Sequence, residues 1–428
     1  MDKFEVIIVG GGLAGLAAAY SLASDGIEVL VVERGDYCGA KNVTGGRLYL
    51  NPIRQLLPDI WEEAPLERHV CQEKITVMTD TSSTTMSFAT QAFREEPYHS
   101  YTVLRATFDN WFADKVGEAG GVIITKNKVD DLIIENDKVI GIKAGGDEIG
   151  ADVVVAADGA MSIIAEKAGM RKPHVPQGFA VAIKEVIELT PQIIEDRFNL
   201  NDGEGAANVF MGSISKGMFG GGFLYTNRNS VSLGLVVKIS DLMHTEPAID
   251  MPQLFEDFKS RPEISTLIKG GDSIEYSAHV IPEGGMEGVP QLFGDGILVS
   301  GDAAGFALNA GLTVRGMEFA IASGVLAAKA IKKAKENNDF SKQSLSYYKK
   351  LLEDSFVLKV LATFKNAPIF LYNPRLFNVY PNMLNVMLEK VMFIGTEPKR
   401  KLSATAVQEM KSKFRFSMIK DVFGVFKL

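Results

Sequence analysis

Cysteine is nearly absent from this sequence: its 428 residues include only Cys38 and Cys71. Two thiols cannot build a disulfide framework, and they are half of what a four-iron cluster normally takes. No cysteine-ligated iron–sulfur centre is therefore expected on this chain alone. Long apolar runs are missing as well. No window approaches the roughly 18 uncharged residues of a membrane span. The most apolar late stretch, residues 369–392, is broken by Pro374, Arg375, Pro381, Glu389 and Lys390. The N-terminus, Met1-Asp2-Lys3-Phe4-Glu5 followed by Val6 to Val9, lacks the basic lead and longer core of a secretory signal. The expectation is a cytoplasmic protein, or one lying on a membrane without crossing it. The five histidines show no H-x-x-x-H spacing, and no metal site is expected. The net charge is −8, and no nucleic-acid partner is expected.

What is present describes a globular chain. Hydrophobic residues make up 46%, and the 41 glycines are scattered without a repeat, which excludes collagen-like and low-complexity readings. The length suggests two or three domains. Charge is uneven: residues 399–428 hold eight basic residues against Glu409 and Asp421, a net +6 that leaves −14 for the rest. In this tail Phe416, Ile419, Phe423 and Phe426 are spaced three and four apart, with Lys413, Arg415, Lys420 and Lys427 flanking them. Such a helix suits an anionic leaflet, where each basic residue contributes about 1 kcal/mol. It equally suits docking on the body of the protein or on a partner.

The strongest motif lies at the start. Val6 to Val9 reads as a buried parallel strand, Gly10-Gly11-Gly12-Leu13-Ala14-Gly15 follows, and Leu13 to Ser24 reads as a helix of small residues. Val29 to Val32 is a second strand, and Glu33 stands at its tip, eighteen residues beyond Gly15. This is a complete βαβ unit with a dinucleotide fingerprint. Gly10 permits the tight turn, Gly12 lets backbone approach a pyrophosphate, and Gly15 lets helix and strand pack closely. The helix N-terminus offers unpaired N–H groups to the phosphates, and Glu33 suits ribose hydroxyls.

That fingerprint serves FAD or NAD alike, so later segments must discriminate. Residues 152–157 read as a strand ending in Asp158-Gly159. Residues 296–300 read as another, followed by Gly301-Asp302-Ala303-Ala304-Gly305 and a long small-residue helix over about 316–335. An acid at a strand's carboxyl end suits a polyol such as a ribityl chain, and a helix N-terminus suits negative charge on a reduced flavin. No second G-x-G-x-x-G follows a strand. The three segments in this order resemble the signature of the hydroxylase-like FAD superfamily. Arg105, opening a helix over 105–118, matches that superfamily's arginine beside the flavin.

Between these segments, residues 76–101 and 176–274 carry strand-like alternation. Phe219-Gly220-Gly221-Gly222-Phe223-Leu224-Tyr225 stands out, because glycines inside an apolar strand imply close approach of a ligand or of another backbone. The expected fold is α/β: a Rossmann-type FAD-binding domain over residues 1–75, 102–175 and 275–335, an interleaved α+β domain over 76–101 and 176–274, and a helical region over 336–428.

Five segments together resemble the FixC-type flavoprotein subunit of electron-transfer-flavoprotein:quinone oxidoreductases. They are Gly39 to Arg47, Gly220 to Tyr225, Gly234 to Val237, Tyr276 to His279, and Gly301 to Gly305. The resemblance implies FAD, an electron-transfer flavoprotein as donor, a membrane quinone as acceptor, and a separate ferredoxin-like partner supplying the iron–sulfur cluster. It implies residence at the inner face of the cytoplasmic membrane. It also implies cofactor contacts from Gly10, Gly12, Leu13, Ala14, Gly15, Glu33, Arg34, Lys41, Asn42, Thr44, Gly45, Arg105, Val129, Asp158, Gly301, Asp302 and Leu312, and quinone contacts from Gly220 and Gly221. Larger relatives have a tyrosine just before the paired glycines, where this chain has Phe219. No acid, base or nucleophile is assigned. The rival readings are a geranylgeranyl-type prenyl reductase, an NAD(P)H-dependent monooxygenase, and an assembly subunit that binds FAD without turnover.

Overall fold

The computed structural model describes residues 2–41, 46–396, 398–399, 401, 403–404 and 416–425. Its first sheet has eight strands. Five of them run Phe293–Gly294, Ile297–Val299, Asp147–Ala156, Lys3–Val9 and Val29–Val32, with Val122–Ile124 beyond and a hairpin of Val129–Glu135 and Lys138–Ala144 attached. The central strands are β-branched and buried along their apolar stretches, as a sheet covered on both faces requires. The strand expected over 152–157 begins earlier, at Asp147. Its polar first half pairs antiparallel with Lys138–Ala144 before its apolar half joins Lys3–Val9 in parallel.

The helices Leu13–Ala23 and Met317–Glu336 pack against each other almost backbone to backbone. A Cβ on Gly324 would lie 2.1 Å from the Ala14 carbonyl oxygen, so only small residues fit this seam. Register then aligns the site: Val9 is opposite both Val32 and Ala156, and Ala156 is opposite Val299. Four parallel strands therefore end at one level.

The second sheet has nine strands in the order Asp272–Pro282, Phe179–Glu188, Ser230–Lys238, Gly220–Thr226, Glu204–Gly212, His69–Met78, Ser100–Thr102 and Arg47–Tyr49, with Ser83–Ala89 paired to His69–Met78. Helices Pro191–Phe198 and Met251–Ser260 bury Ile194, Phe198, Phe255 and Phe258 in one core with Phe210 and Leu235. Residues 47–49, 69–75 and 275–282, assigned above to the FAD-binding part, are strands of this sheet. The long Asp272–Pro282 edge strand mixes polar and apolar residues, and nothing local in it reveals which sheet it joins. Beyond residue 336 the described elements are all helices, the last being Ala367–Leu371, Val379–Met392 and Phe416–Val425. Among the described residues, no helix is long and apolar enough to cross a membrane.

Candidate functional site

Three turns meet at the common carboxyl edge of the first sheet. Gly10 takes φ +106°, and a Cβ there would lie 2.4 Å from the Ala157 carbonyl oxygen, so the first turn lies directly against the Asp158 turn. A Cβ on Gly15 would meet the Gly10 carbonyl oxygen at 2.0 Å. Gly301, at φ +67°, sits against Ala14, and its N–H donates to Ser323 Oγ at 3.0 Å. The Leu13–Ala23 helix begins at Gly12 without any side-chain cap, leaving its first N–H groups open to an anion.

The acids at this edge differ in their commitments. Glu33 accepts from Gly11 N at 2.7 Å and from Gly35 N at 2.6 Å, which holds both its oxygens beside the glycine turn. Asp158 accepts from Ser162 Oγ at 2.9 Å and Ile164 N at 3.0 Å, so its carboxylate caps the short Ile163–Lys167 helix. The Asp302 carboxylate has no hydrogen-bond partner among the described residues; only its backbone carbonyl accepts one, from Gly305 N at 2.9 Å. Burial raises its pKa, opposed by the charge of Arg105. Arg105 is itself buried and bound two-point to Asp109, both bonds at 2.7 Å. The unpartnered carboxylate and uncapped helix end fit the hydroxyls and phosphates of a dinucleotide.

Of the other expected contacts, Arg34, Lys41, Val129 and Leu312 are described. Segment 124–127 runs beside Glu33 and Gly35, with Asn127 N donating to Glu33 O at 3.0 Å, and it leads to buried Val129. Arg34 and Lys41 are exposed; burial raises the pKa of Asp158, opposed by its hydrogen bonds to Ile164 and Ser162 and by the nearby charge of Arg34. Leu312 is exposed between the paired strands Leu308–Asn309 and Val314–Arg315. Asn42, Thr44 and Gly45 lie outside the described residues. Cys38 touches this region through Gly11, but burial pushes its thiol up to about 12, so no reactive thiolate forms there. Arg315, at the start of the long helix, is committed to Glu318 at 2.5 Å.

In the second sheet, Gly220 and Gly221 are half-buried. A Cβ on Gly220 would meet Val236 O at 2.2 Å, and one on Gly221 would meet Phe210 O at 2.6 Å. Close approach of neighbouring strands thus demands glycine at both positions. Phe219 is buried among Leu371 and Phe377, with the Tyr372 ring edge-on at 5.0 Å. A phenol from the C-terminal region therefore stands beside Phe219.

Sequence reading missed a cluster here. Lys238 Nζ lies 3.2 Å from the centre of the Tyr372 ring, and Tyr372 O–H donates to the Glu283 carbonyl oxygen at 3.1 Å. Burial raises the Glu283 carboxyl to about 7, against the pull of Asn309 and Lys238. It missed a second one around Arg47, which donates to Glu73 at 2.9 Å and 2.5 Å and to Ser100 Oγ at 3.1 Å. Beside it, burial and the Arg47 charge push His99 down to about 4. No spacing in the sequence joins these residues, and only the membership of Arg47 in the Gly39–Arg47 segment was a signal. Burial, with the charges of Arg105 and Arg34, lowers the pKa of His279 on the Asp272–Pro282 strand. Among the described residues, no group of three His, Cys, Asp or Glu side chains is placed to hold a metal.

At the C-terminal end, Ile369, Met392, Phe393, Ile394, Ile419 and Phe423 are all exposed. Phe416–Val425 packs on the Ala367–Leu371 helix, where a Cβ on Gly424 would lie 2.8 Å from the Phe370 ring. Lys413, Arg415, Phe426 and Lys427 lie outside the described residues, as does the side chain of Phe416.

Three family models match the chain in series: FAD dependent oxidoreductase over residues 5–171, ETF-QO, ubiquinone-binding over residues 179–281, and ETF-QO/FixC family C-terminal domain over residues 367–428. The chain is 45% identical to the probable electron transfer flavoprotein-quinone oxidoreductase YdiS of Escherichia coli K12, covering 98% of this chain and 97% of that one. It is 48% identical to Protein FixC of Escherichia coli O157:H7 over 89% of each chain, and 40% identical to Protein FixC of Azorhizobium caulinodans over 99% and 98%. Among solved structures, a geranylgeranyl bacteriochlorophyll reductase-like protein from Thermoplasma acidophilum aligns with a TM-score of 0.72, 21% identity and 98% coverage of both chains. The myxobacterial FAD-dependent halogenase CndH aligns with a TM-score of 0.62 and 17% identity over 97% of this chain and 92% of that one. At these identities the solved structures speak for the fold alone.

Proposed function

The chain belongs to the ETF-QO/FixC family of FAD-dependent oxidoreductases, and on that premise we propose that it takes electrons from an electron-transfer flavoprotein and delivers them to a membrane quinone. A separate small ferredoxin-like protein carries the iron–sulfur cluster in this scheme, since two buried cysteines on this chain cannot. The observation that carries the reading is the placement of two sites on one body. An uncapped helix end and a free carboxylate share one sheet edge, and a paired-glycine strand behind an apolar C-terminal wall forms the other.

FAD, when bound, supplies a carrier that exchanges one or two electrons. Gly10, Gly12, Leu13, Ala14 and Gly15 would hold its pyrophosphate at the helix N-terminus, and Glu33 with the segment reaching Val129 would hold the adenosine half. Asp302 would accept hydrogen bonds from the cofactor's hydroxyls. Arg105, its charge shared with Asp109, sets a positive potential without moving. Asp158 acts by fixing the neighbouring turn. Lys41, Asn42, Thr44 and Gly45 belong to the loop proposed to lie under the ring, with Arg34 and Leu312 at the rim.

Gly220 and Gly221 are proposed to meet the quinone head group, with Phe219, Leu371 and Phe377 excluding water. The exposed apolar residues from Ile369 to Phe423, in a region rich in lysine, are proposed to rest on the inner leaflet and admit the quinone. The test mixes FAD-loaded protein with reduced electron-transfer flavoprotein, the ferredoxin-like partner and a short-chain quinone. Quinone reduction that depends on the flavoprotein supports the reading. Turnover without the ferredoxin-like protein removes that partner from it, and NAD(P)H-driven hydroxylation overturns it.

A further inference from the structure

Strand register places one carboxyl, from a remote part of the chain, at the same end of the sheet as the proposed quinone site, with two strands between them. Gly220 is opposite Val237, Lys238 is opposite Ala180, and Phe179 is opposite Pro282. Glu283 therefore leaves the far edge strand at the end of the sheet where Phe219 and Gly220 enter it. Its loop lies beneath the C-terminal helices: Gly285 takes φ +52°, and a Cβ there would lie 3.0 Å from Pro368. Tyr372 bridges the two ends of this wall, with its O–H on the Glu283 carbonyl and its ring on Phe219. Asn309 approaches the carboxyl from the hairpin that follows the Asp302 turn. Glu283 is thus half-buried where the second sheet, the cofactor side and the C-terminal region meet.

We propose that Glu283 is the proton donor for quinone reduction, with Lys238 stabilising the carboxylate it leaves and Tyr372 positioning its loop. The assignment rests on the quinone reading above. Each quinone takes up two electrons and two protons. The electrons come from the reduced flavin. The Glu283 O–H bond breaks as a quinone O–H bond forms, solvent reprotonates the carboxylate, and a second transfer completes the quinol. A donor must hold its proton at working pH and still release it. The Glu283 carboxyl, raised to about 7 by lost solvation, meets that condition. The charged groups around the wall are Lys238, whose own pKa burial lowers, and Asp241, which accepts from Phe219 N at 2.9 Å. Burial, helped by Glu283 and Asp241, pushes Tyr372 up to about 12, so the phenol stays protonated and acts as a strut.

The experiment compares two acceptors and one spectrum. Wild type, E283Q and E283D, each loaded with FAD and supplied with reduced electron-transfer flavoprotein and the ferredoxin-like partner, are assayed with a short-chain quinone and with ferricyanide, which takes electrons without protons. Infrared difference spectra of the same proteins across pH follow the protonated carboxyl band. The expected results are a wild-type quinone rate that declines as pH rises above about 7, and an E283Q quinone-to-ferricyanide ratio reduced at least about tenfold with that decline abolished. E283D restores part of the ratio, and E283Q lacks a carboxyl band that titrates near 7 in wild type. If wild type reduces quinone and E283Q matches its ratio and pH profile within about twofold, the assignment to Glu283 is wrong and the quinone reading stands. If wild type reduces ferricyanide and no quinone at any pH, the quinone reading fails and the assignment falls with it.

Discussion

Arg375 and Asp421, 46 residues apart, form a two-point ion pair in which Nε and Nη2 each donate to a carboxylate oxygen at 2.6 Å. Tyr380 O–H donates to the same carboxylate. This contact fixes the orientation of the Phe416–Val425 helix. Met418 is buried and Asp421 is gripped, while Ile419 and Phe423 point outward. The two sequence readings of the tail therefore combine: the helix docks on the body by one face and leaves an apolar face free.

Asp421→Asn should loosen that dock. The carboxyl is held down to about 2, first by its hydrogen bonds to Arg375, against an ordinary value of 3.8. A depressed acid contributes stability above its unfolded pKa and loses it as pH falls through the folded one. Tail docking in wild type should accordingly persist above about pH 4 and fade between 4 and 2, whereas the variant shows no such step. Limited proteolysis of the tail at neutral pH should run severalfold faster in the variant, with little change in the melting of the body.

Asp302→Asn and Asp158→Asn should separate cofactor affinity from stability. The Asp302 side chain makes no hydrogen bond to the described residues, so its replacement should weaken FAD binding about tenfold or more, with an almost unchanged apoprotein Tm. Asp158 caps a helix and bonds Ser162, so its replacement should cost the apoprotein about 1 kcal/mol. Flavin fluorescence titration and thermal unfolding of the apoprotein measure the two effects.

Gly10→Ala should abolish retention of flavin. The residue sits at φ +106° and its new methyl would collide with the Ala157 carbonyl oxygen at 2.4 Å. Strain and displacement of the Asp158 turn together should destabilise by about 2 kcal/mol or more. The purified variant should be colourless, while wild type shows flavin absorbance.

Phe423→Glu and Ile394→Glu should each weaken binding to anionic vesicles. These side chains are 64% and 81% exposed, and burying one in a lipid interface contributes about 1.5–3 kcal/mol. A loss of about tenfold or more in vesicle partitioning is expected in flotation assays. Turnover with a water-soluble short-chain quinone, which needs no entry from a lipid leaflet, should change little.

The first-domain fold was legible because its determinants are local. A strand, a turn that only glycine can make, a helix of small residues and a tip acid lie within thirty-odd consecutive positions, and each demands its residue type for steric or dipolar reasons. The same logic placed the Asp158 and Asp302 turns at strand ends. It did not distinguish their chemistry, since which carboxylate is spent on a neighbouring helix depends on side-chain geometry. Membership of the long Asp272–Pro282 strand, the Tyr372 phenol beside Phe219, the carboxyl of Glu283 and the Arg375–Asp421 pair were decided only by the tertiary structure. Each depends on surfaces brought together across tens or hundreds of residues, where burial and neighbouring charge, rather than local pattern, determine what a side chain can do.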